Sequence, residues 1–242
     1  NKQSVIAVDT ETSSLNPQEA ELIGVSISYA TNISFYIPVG HKDIKGLQKK
    51  FVLKKLKTIL EDPSIKKVGQ NIKYDFIIFK NHEIELNPLE DTMLLSYTLD
   101  AGNNRHNMDT LSELHLSHKT ISYKDLVGTG KKQLNFSDID LKSATEYAAE
   151  DADVTLRLYD ILSKRVEEEK LDKIYEVFEK PMIKILSKLE TNGIKVDNSY
   201  LKKLSKKFED RLVKIEKEIY KVSGKKFNIG SPKQLGEIIY ND

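Results

Sequence analysis

Cysteine and tryptophan are both missing from the 242 residues. Without cysteine there is no disulfide framework, no thiolate zinc site and no thiol nucleophile, so any metal must be held by oxygen or by the five histidines. Long apolar runs are missing as well. None approaches the roughly 18 residues needed to span a bilayer, and the N-terminus has neither the charged nor the apolar region of a signal peptide. The expectation is a cytoplasmic chain that does not engage a membrane and acts as a monomer. A net excess of either charge is also lacking, since the formal sum is +1. That sum conceals an asymmetry: 22 Lys and Arg face 26 Asp and Glu in the first 170 residues, whereas 16 face 11 in the remainder. A basic tail of this kind is either a solvated helical face or a surface for a phosphate backbone, and composition alone leaves both open.

What is present is enough apolar material, 39% of residues, to bury a core for one large domain or for one domain plus a second element. The front of the chain reads as β-structure at residues 4–11, 21–29 and 33–39, with Ala30-Thr31-Asn32 joining the last two. Residues 47–60 turn helical, with Phe51, Leu56, Ile59 and Leu60 on neighbouring rows. A fourth strand is expected around Val68, then helices over 71–82, over 91–99 with Asp91 as N-cap, and over 108–116. Residues 117–140 lack periodicity and read as the longest loop. A strong helix follows over 141–170, another over 171–189 with Pro181 as a kink or restart, and Asn192-Gly193 stops it. Residues 200–222 form a lysine-rich helical pattern, and Ser231-Pro232 opens one more helix. Strands vanish in the second part, which places a domain boundary near residue 170 and predicts two domains, 1–170 and 171–242. Because the chain opens on a strand and closes inside a helical pattern, it reads as a fragment. The fold class expected is α/β, followed by an all-helical segment.

Four acids stand where acids are costly. Asp9 and Glu11 are two residues apart on the first strand, so both leave the same face with Cα atoms roughly 6.6 Å apart. Val5 and Ala7 share that face, and two carboxylates closing an apolar row repel one another unless a cation lies between them. By itself this pair also suits a strand end emerging into solvent. Asp75 sits in Tyr74-Asp75-Phe76-Ile77-Ile78-Phe79, where apolar residues surround the helix and leave a carboxylate little free surface. Asp151 interrupts the stripe Ala148, Thr155, Leu158 and Leu162, where an isolated anion would cost several kcal/mol. Either acid alone suits pairing with a buried Arg or Lys, but only Lys73 and Lys80 are near Asp75, and Tyr147 rather than a base precedes Asp151 by one turn.

A divalent ion explains all four together. Carboxylate oxygens without His or Cys favour Mg²⁺ or Mn²⁺, and two such ions roughly 3.5 to 4 Å apart activate water and stabilise the departing oxygen of a phosphodiester. Tyr147 shares the helix face of Asp151. With an ordinary pKa of about 10 its hydroxyl is suited to orienting that water rather than deprotonating it, which leaves metal-bound hydroxide as the expected nucleophile.

Three segments carry a resemblance: Val8-Asp9-Thr10-Glu11-Thr12, Gly69-Gln70-Asn71-Ile72-Lys73-Tyr74-Asp75, and Tyr147-Ala148-Ala149-Glu150-Asp151-Ala152-Asp153. Together they resemble the three exonuclease motifs of family A bacterial DNA polymerase I, in the DnaQ-like, DEDD-Y superfamily. Asp91-Thr92-Met93-Leu94 and Arg105-His106 fit the same pattern. The resemblance covers essentially the whole chain and implies a ribonuclease H-like mixed sheet flanked by helices, with the helices after residue 170 matching the start of a polymerase domain. It implies a 3′→5′ proofreading exonuclease in which Asp9, Glu11 and Asp151 hold the first metal, Asp9 also touches the second, and Asp75 acts through its water shell. It further implies that Leu15 is a wedge against the terminal base and that Gln70, Asn71, Tyr74, Arg105 and Tyr123 line the path of the strand. Tyr123 stands where the family often has Phe, and Ser13 where an acid is common. The partners so implied are a single-stranded DNA 3′ end, primer-template DNA and the remainder of the polymerase.

Other features carry less. Gly128-Thr129-Gly130-Lys131-Lys132 resembles a phosphate loop but lacks the first glycine and the final Ser or Thr, so it reads as loop. His115 and His118 have no further ligand pattern and read as surface residues. Two rival functions remain at this stage: an exoribonuclease using the same acids, and a silent domain that packs against a polymerase or holds single strands. Since the nucleotide-binding and catalytic motifs of a polymerase are absent from these 242 residues, a primer-template incubated with the chain and all four deoxynucleotides should not be extended; template-directed extension would overturn the domain reading.

Overall fold

The computed structural model describes residues 4–42, 47–130 and 133–241. Lys131 and Lys132 of the glycine-containing loop lie outside the described residues. Three strands open the chain: β1 (Val5–Thr12), β2 (Leu22–Ala30) and β3 (Ile33–Pro38). After α1 (Lys49–Leu60) come β4 (Lys66–Gly69), α2 (Lys73–Asn81) and β5 (Leu89–Asp91). The sheet order is β3-β2-β1-β4-β5, with β1 antiparallel to β2 and parallel to β4, and β4 parallel to β5. The β-rich opening residues therefore do two jobs: a hairpin meander on one side of β1 and crossovers through α1 and α2 on the other.

Because β1 is central, both of its faces are covered. Ile6 and Val8 pack with Val52, Leu56, Phe76 and Phe79 of α1 and α2. Val5, on the other face, joins a cluster built from Val154, Leu158 and Leu162 of α6 (Leu141–Glu168) with Leu95 of α3 (Thr92–Asp100) and Leu111 of α4 (Met108–Leu116). This five-stranded mixed sheet, flanked by helices and followed by a helical C-terminal part, is a ribonuclease H-like α/β fold.

Several elements differ from the sequence reading. Leu89-Glu90-Asp91 gives no β signal, yet it pairs with Lys67-Val68-Gly69, because register against an existing strand outweighs the propensity of three residues. The expected loop over 117–140 holds α5 (Tyr123–Val127) and a 3₁₀ turn at Phe136–Asp138. Phe51 and Ile59 are exposed, while Val52, Leu53, Leu56 and Leu60 form the buried stripe of α1. The single helix expected over 171–189 is divided into α7 (Asp172–Ile174), a π-helical stretch at Tyr175–Glu179 and α8 (Lys180–Asn192). Pro181 sits within an uninterrupted helical backbone, and the widened π-helical turn directly before it accommodates its ring and missing N–H.

The chain divides into two compact units, 1–192 and 193–242. Residue 170 thus falls inside the first unit rather than at its edge. The cause is burial: Tyr175 belongs to the cluster under α6, and Ile183 to the cluster under α1 and α2. The second unit contains α9 (Asn198–Ser223) and α10 (Pro232–Asn241). The Asp197 carboxylate caps α9 by accepting from the Ser199 and Tyr200 amides, and Gly224 ends it in the left-handed conformation at φ 69°. Ser231 Oγ accepts from the Gln234 amide at 3.4 Å as expected for a cap. None of α9's residues is buried.

Lys67 is the least expected core residue. Its side chain is fully buried, and Nζ donates to the carbonyls of Asp62 at 2.7 Å, Ile65 at 2.6 Å and Asn87 at 2.5 Å. It therefore joins the loop before β4 to the loop before β5. Lys67→Met removes the one ammonium on which three part-buried carbonyls from two loops converge, so it should lower unfolding free energy by about 2–4 kcal/mol. A urea midpoint equal to that of the wild type would contradict this account.

Candidate active site

Where β1 ends, the sheet register slips: Glu11 faces Gly24 and Thr12 faces Leu22, which leaves Ile23 of β2 as the extra residue. Asp9 and Glu11 remain on the face toward α6. That helix approaches closely because Ala144, Ala148 and Ala152, one turn apart, are fully buried. It carries Asp151 into the same space, and carboxylate oxygens of Asp9, Glu11 and Asp151 lie within 4.8 Å of one another. Among the described residues these three are the only His, Cys, Asp or Glu group with such spacing. Neither His115 nor His118 belongs to that group, and the His118 Nε2 sits 2.8 Å from Glu150 Oε1.

Burial is the main force on these acids. It pushes the Asp9 carboxyl up to about 6, against the Thr10 amide that holds it down. Glu11 is driven well above the usual carboxylate range by burial and then by the charges of Asp9, Asp151 and Asp75. Asp151 is raised well above it by burial and by Asp9, while the Tyr147 hydroxyl, hydrogen-bonded to it, opposes the shift. Tyr147 is itself raised by burial, then by the charge of Asp151, so its hydroxyl keeps its proton. The arrangement is one of hard oxygen ligands, and the donor set fits a divalent metal ion.

Asp75 arrives differently. It comes from α2 on the opposite face of β1, and its Oδ1 accepts from the Thr10 amide at 2.9 Å and the Thr10 hydroxyl at 2.5 Å. By sequence only Lys73 and Lys80 stand near this acid as protein partners; the structure adds Thr10, which alternates with Asp9 and Glu11 along the strand and reaches the other face. Burial still raises Asp75 well above its usual value, with the Asp9 charge next.

A cleft of 790 Å³ surrounds the acids, bounded by Leu15, Gln70, Asn71, Tyr74, Tyr123 and Tyr147 among others. Leu15 is 96% exposed at its mouth. Beneath it the Tyr74 hydroxyl donates to the Ser14 carbonyl at 2.5 Å and meets the Thr12 hydroxyl at 2.5 Å, which fixes the loop that carries Leu15. Ser13 Oγ accepts from the Glu21 amide, and Asn135 donates to the Ser13 carbonyl, so both ends of that loop are tied. Tyr123 packs its ring 5.9 Å from that of Tyr147. The Gln70 amide group is committed to protein, accepting from Thr92 and donating to the His106 carbonyl. Arg105 is exposed in the segment between α3 and α4 and does not line the cleft.

Sequence reasoning missed Tyr36 and His41. Tyr36 Oη lies 2.8 Å from His41 Nε2, and its phenol is raised by burial, then by the charges of Glu11 and Asp9. Tyr36 pairs with Ser26, which pairs with Asp9, so three strands bring them to one face. Only pairing register could have shown this.

Comparison with known proteins agrees with the geometry. A family model described as 3′-5′ exonuclease matches residues 1–167. DNA polymerase I of Rhizobium leguminosarum is 43% identical over 256 aligned residues, which cover 98% of this chain and 25% of that protein. DNA polymerase I of Pseudomonas aeruginosa is 40% identical, with coverages of 98% and 27%. The chain thus spans about a quarter of the length of the curated relatives it matches. Among solved structures, the POL domain of Pol1 from M. smegmatis, in complex with DNA primer-template and dNTP, has a TM-score of 0.75 at 21% identity. It covers 99% of this chain and 37% of that one. Brucella melitensis NrnC with bound Mg²⁺ has a TM-score of 0.57 at 22% identity, covering 78% and 84%. At such identities the likeness is one of fold.

The acid shifts predict how stability responds to pH. Each carboxyl binds its proton more tightly folded than unfolded, so above the unfolded value near 4 the native state holds more protons, and stability falls as pH rises until the folded values are passed. A divalent cation offsets that repulsion only where the acids are ionised. Mg²⁺ or Mn²⁺ should therefore raise the thermal midpoint more at about pH 8 than at about pH 5. An equal or larger rise at the lower pH, read by differential scanning fluorimetry, would count against the cluster as the binding site.

Proposed function

The chain belongs to the 3′-5′ exonuclease family, and from that premise we propose that it is the proofreading module of a DNA polymerase I, hydrolysing single-stranded or frayed DNA 3′ ends to 5′-mononucleotides. The observation that carries this reading is the cluster of Asp9, Glu11 and Asp151, buried at the base of an open cleft with no Lys or Arg in ion pair with any of them among the described residues. Asp9, Glu11 and Asp151 would hold one Mg²⁺ or Mn²⁺, with Asp9 also touching a second ion and Asp75 acting through its water shell. Two such ions, when bound, supply an activated water and neutralise charge on the phosphodiester.

The chain's own groups do the rest. Tyr147, kept protonated by its surroundings, donates to or accepts from the attacking water and sets its direction. Leu15, held out by the Tyr74 and Asn135 contacts, meets the terminal base. Asn71, Tyr74 and Tyr123 form the walls along which the last nucleotides lie, and Gln70 stiffens one of them. Arg105, standing outside the cleft, is placed to reach the backbone further along the strand. The helices after residue 170 are assigned to the beginning of the polymerase portion, although their first three elements pack on the exonuclease unit.

A duplex end cannot insert beside Leu15 without first melting. Unpairing and unstacking cost a few kcal/mol per nucleotide, and a mismatch has already lost part of that interaction, so its frayed population is larger. Every 1.4 kcal/mol removed from this cost should raise the initial rate about tenfold. The stacking walls discriminate without reading base identity.

Labelled oligonucleotides of DNA and RNA, incubated in parallel with Mg²⁺ or Mn²⁺, test the assignment. DNA should be shortened from its 3′ end, single strands and mismatched ends faster than matched ends, and chelation should stop the reaction. Equal initial rates on the three DNA ends below saturation would eliminate the fraying step. Asp9→Ala and Asp151→Ala should each lower the rate by orders of magnitude. Tyr147→Phe should be milder and leave metal binding by calorimetry intact, whereas Asp9→Ala should weaken it. Undiminished cleavage by either alanine variant would sink the metal assignment.

A further inference from the structure

Asp91 is 1% exposed, and its carboxylate is matched by backbone amides alone among the described residues. Two of them belong to its own helix: Met93 and Leu94 donate to Oδ1 at 2.8 and 3.4 Å, an ordinary N-cap of α3. The other two come from a distant turn. Asn71 donates to Oδ1 at 3.1 Å and Ile72 to Oδ2 at 3.0 Å, so one whole oxygen serves a segment that helix capping does not require.

That segment borders the cleft. Asn71 has φ 59°, in the left-handed region that a non-glycine residue seldom occupies unless its surroundings impose it. In this conformation its side chain is exposed at the cleft wall beside Gln70. The next residue in the chain reinforces the hold: Thr92 Oγ1 donates to the Gly69 carbonyl at 3.2 Å and to Gln70 Oε1 at 2.5 Å. Gly69 itself admits no side chain, since a Cβ there would meet Ile72. The turn is therefore shaped from behind by β5 and the start of α3, while Asp75, further along α2, is fixed separately by Thr10.

We propose that Asp91 is a positioning residue for substrate: its carboxylate holds the Gln70-Asn71-Ile72 turn in the left-handed form that presents Asn71 to the nucleic-acid strand. The inference rests on the nuclease reading above and adds to it a residue that touches neither metal ligand nor strand. Because the acids are anchored elsewhere, loss of this hold weakens strand binding and spares the chemical step.

The test uses the full chain with single-stranded DNA and Mg²⁺. Asp91→Ser retains an N-cap acceptor for α3 but is too short to reach the turn. Its KM should rise roughly tenfold, as expected for a mislaid binding group, while kcat stays within about threefold and Mg²⁺ affinity by calorimetry is unchanged. Asn71→Gly, in which the left-handed turn needs no support, should raise KM through the lost side chain. Adding Asp91→Ser to it should then change KM no further, because the two residues act in series. A folded Asp91→Ser with wild-type KM, a fall in kcat at constant KM, or additive effects in the double variant would each overturn the proposal. If Asp91→Ser melts below the assay temperature, Asn71→Ala decides: an unchanged KM refutes the role of the turn. Wild-type chain that neither cleaves nor binds the oligonucleotide would remove the nuclease reading, and this inference with it; wild-type cleavage with an unaltered KM in the variants removes this inference alone.

Discussion

The crowding of three carboxylates into one largely water-excluded space is the constraint around which this fold is arranged. The carboxylate oxygens of Asp9, Glu11 and Asp151 lie within 4.8 Å of one another, where burial first and like charge second act against the ionised forms of Glu11 and Asp151. They are kept there by elements whose stability lies elsewhere. β1 is locked between β2 and β4, and α6 is pinned by the apolar cluster of Val154, Leu158 and Leu162. The acids add nothing to that stability while ionised, since burial and like charge disfavour their charged forms.

The two faces of β1 divide the work. Toward α6, small side chains let the helix backbone approach so that Asp151 meets Asp9 and Glu11. Toward α2, Thr10 receives Asp75 through two hydrogen bonds. Alternation along one strand thus separates a cluster available to metal from an acid already held by protein, while leaving the fourth charge close enough to act on Asp9.

A second polar chain ties the later helices to the same sheet. The Tyr175 hydroxyl accepts from the Asp91 amide at 3.0 Å and donates to Glu90 Oε2 at 3.0 Å, and Lys180 reaches Glu90 Oε1 at 2.9 Å. β5 therefore has two distinct points of influence: the Asp91 carboxylate accepts from the Asn71 and Ile72 amides, and Glu90 anchors the π-helical stretch and α8. These bonds act together with the burial of Tyr175 and Ile183 to hold residues 171–192 in the first compact unit.

Chemistry-bearing residues could be read from the chain itself. Two-residue spacing put Asp9 and Glu11 on one strand face, and three- and four-residue steps put Asp151 and Tyr147 on one helix face, because those periods are local properties of the backbone. The helix cap at Asp91 and the start of the last helix at Ser231-Pro232 were equally local. What only tertiary structure decided were the relations between distant segments. The partner of Asp75, the buried Lys67 with its three carbonyls, the pairing of β5 and the approach of Tyr36 to Glu11 all depend on strand register and on which face each crossover covers. Neither quantity is encoded in the periodicity of a single segment, since each is settled by the packing of elements far apart in sequence.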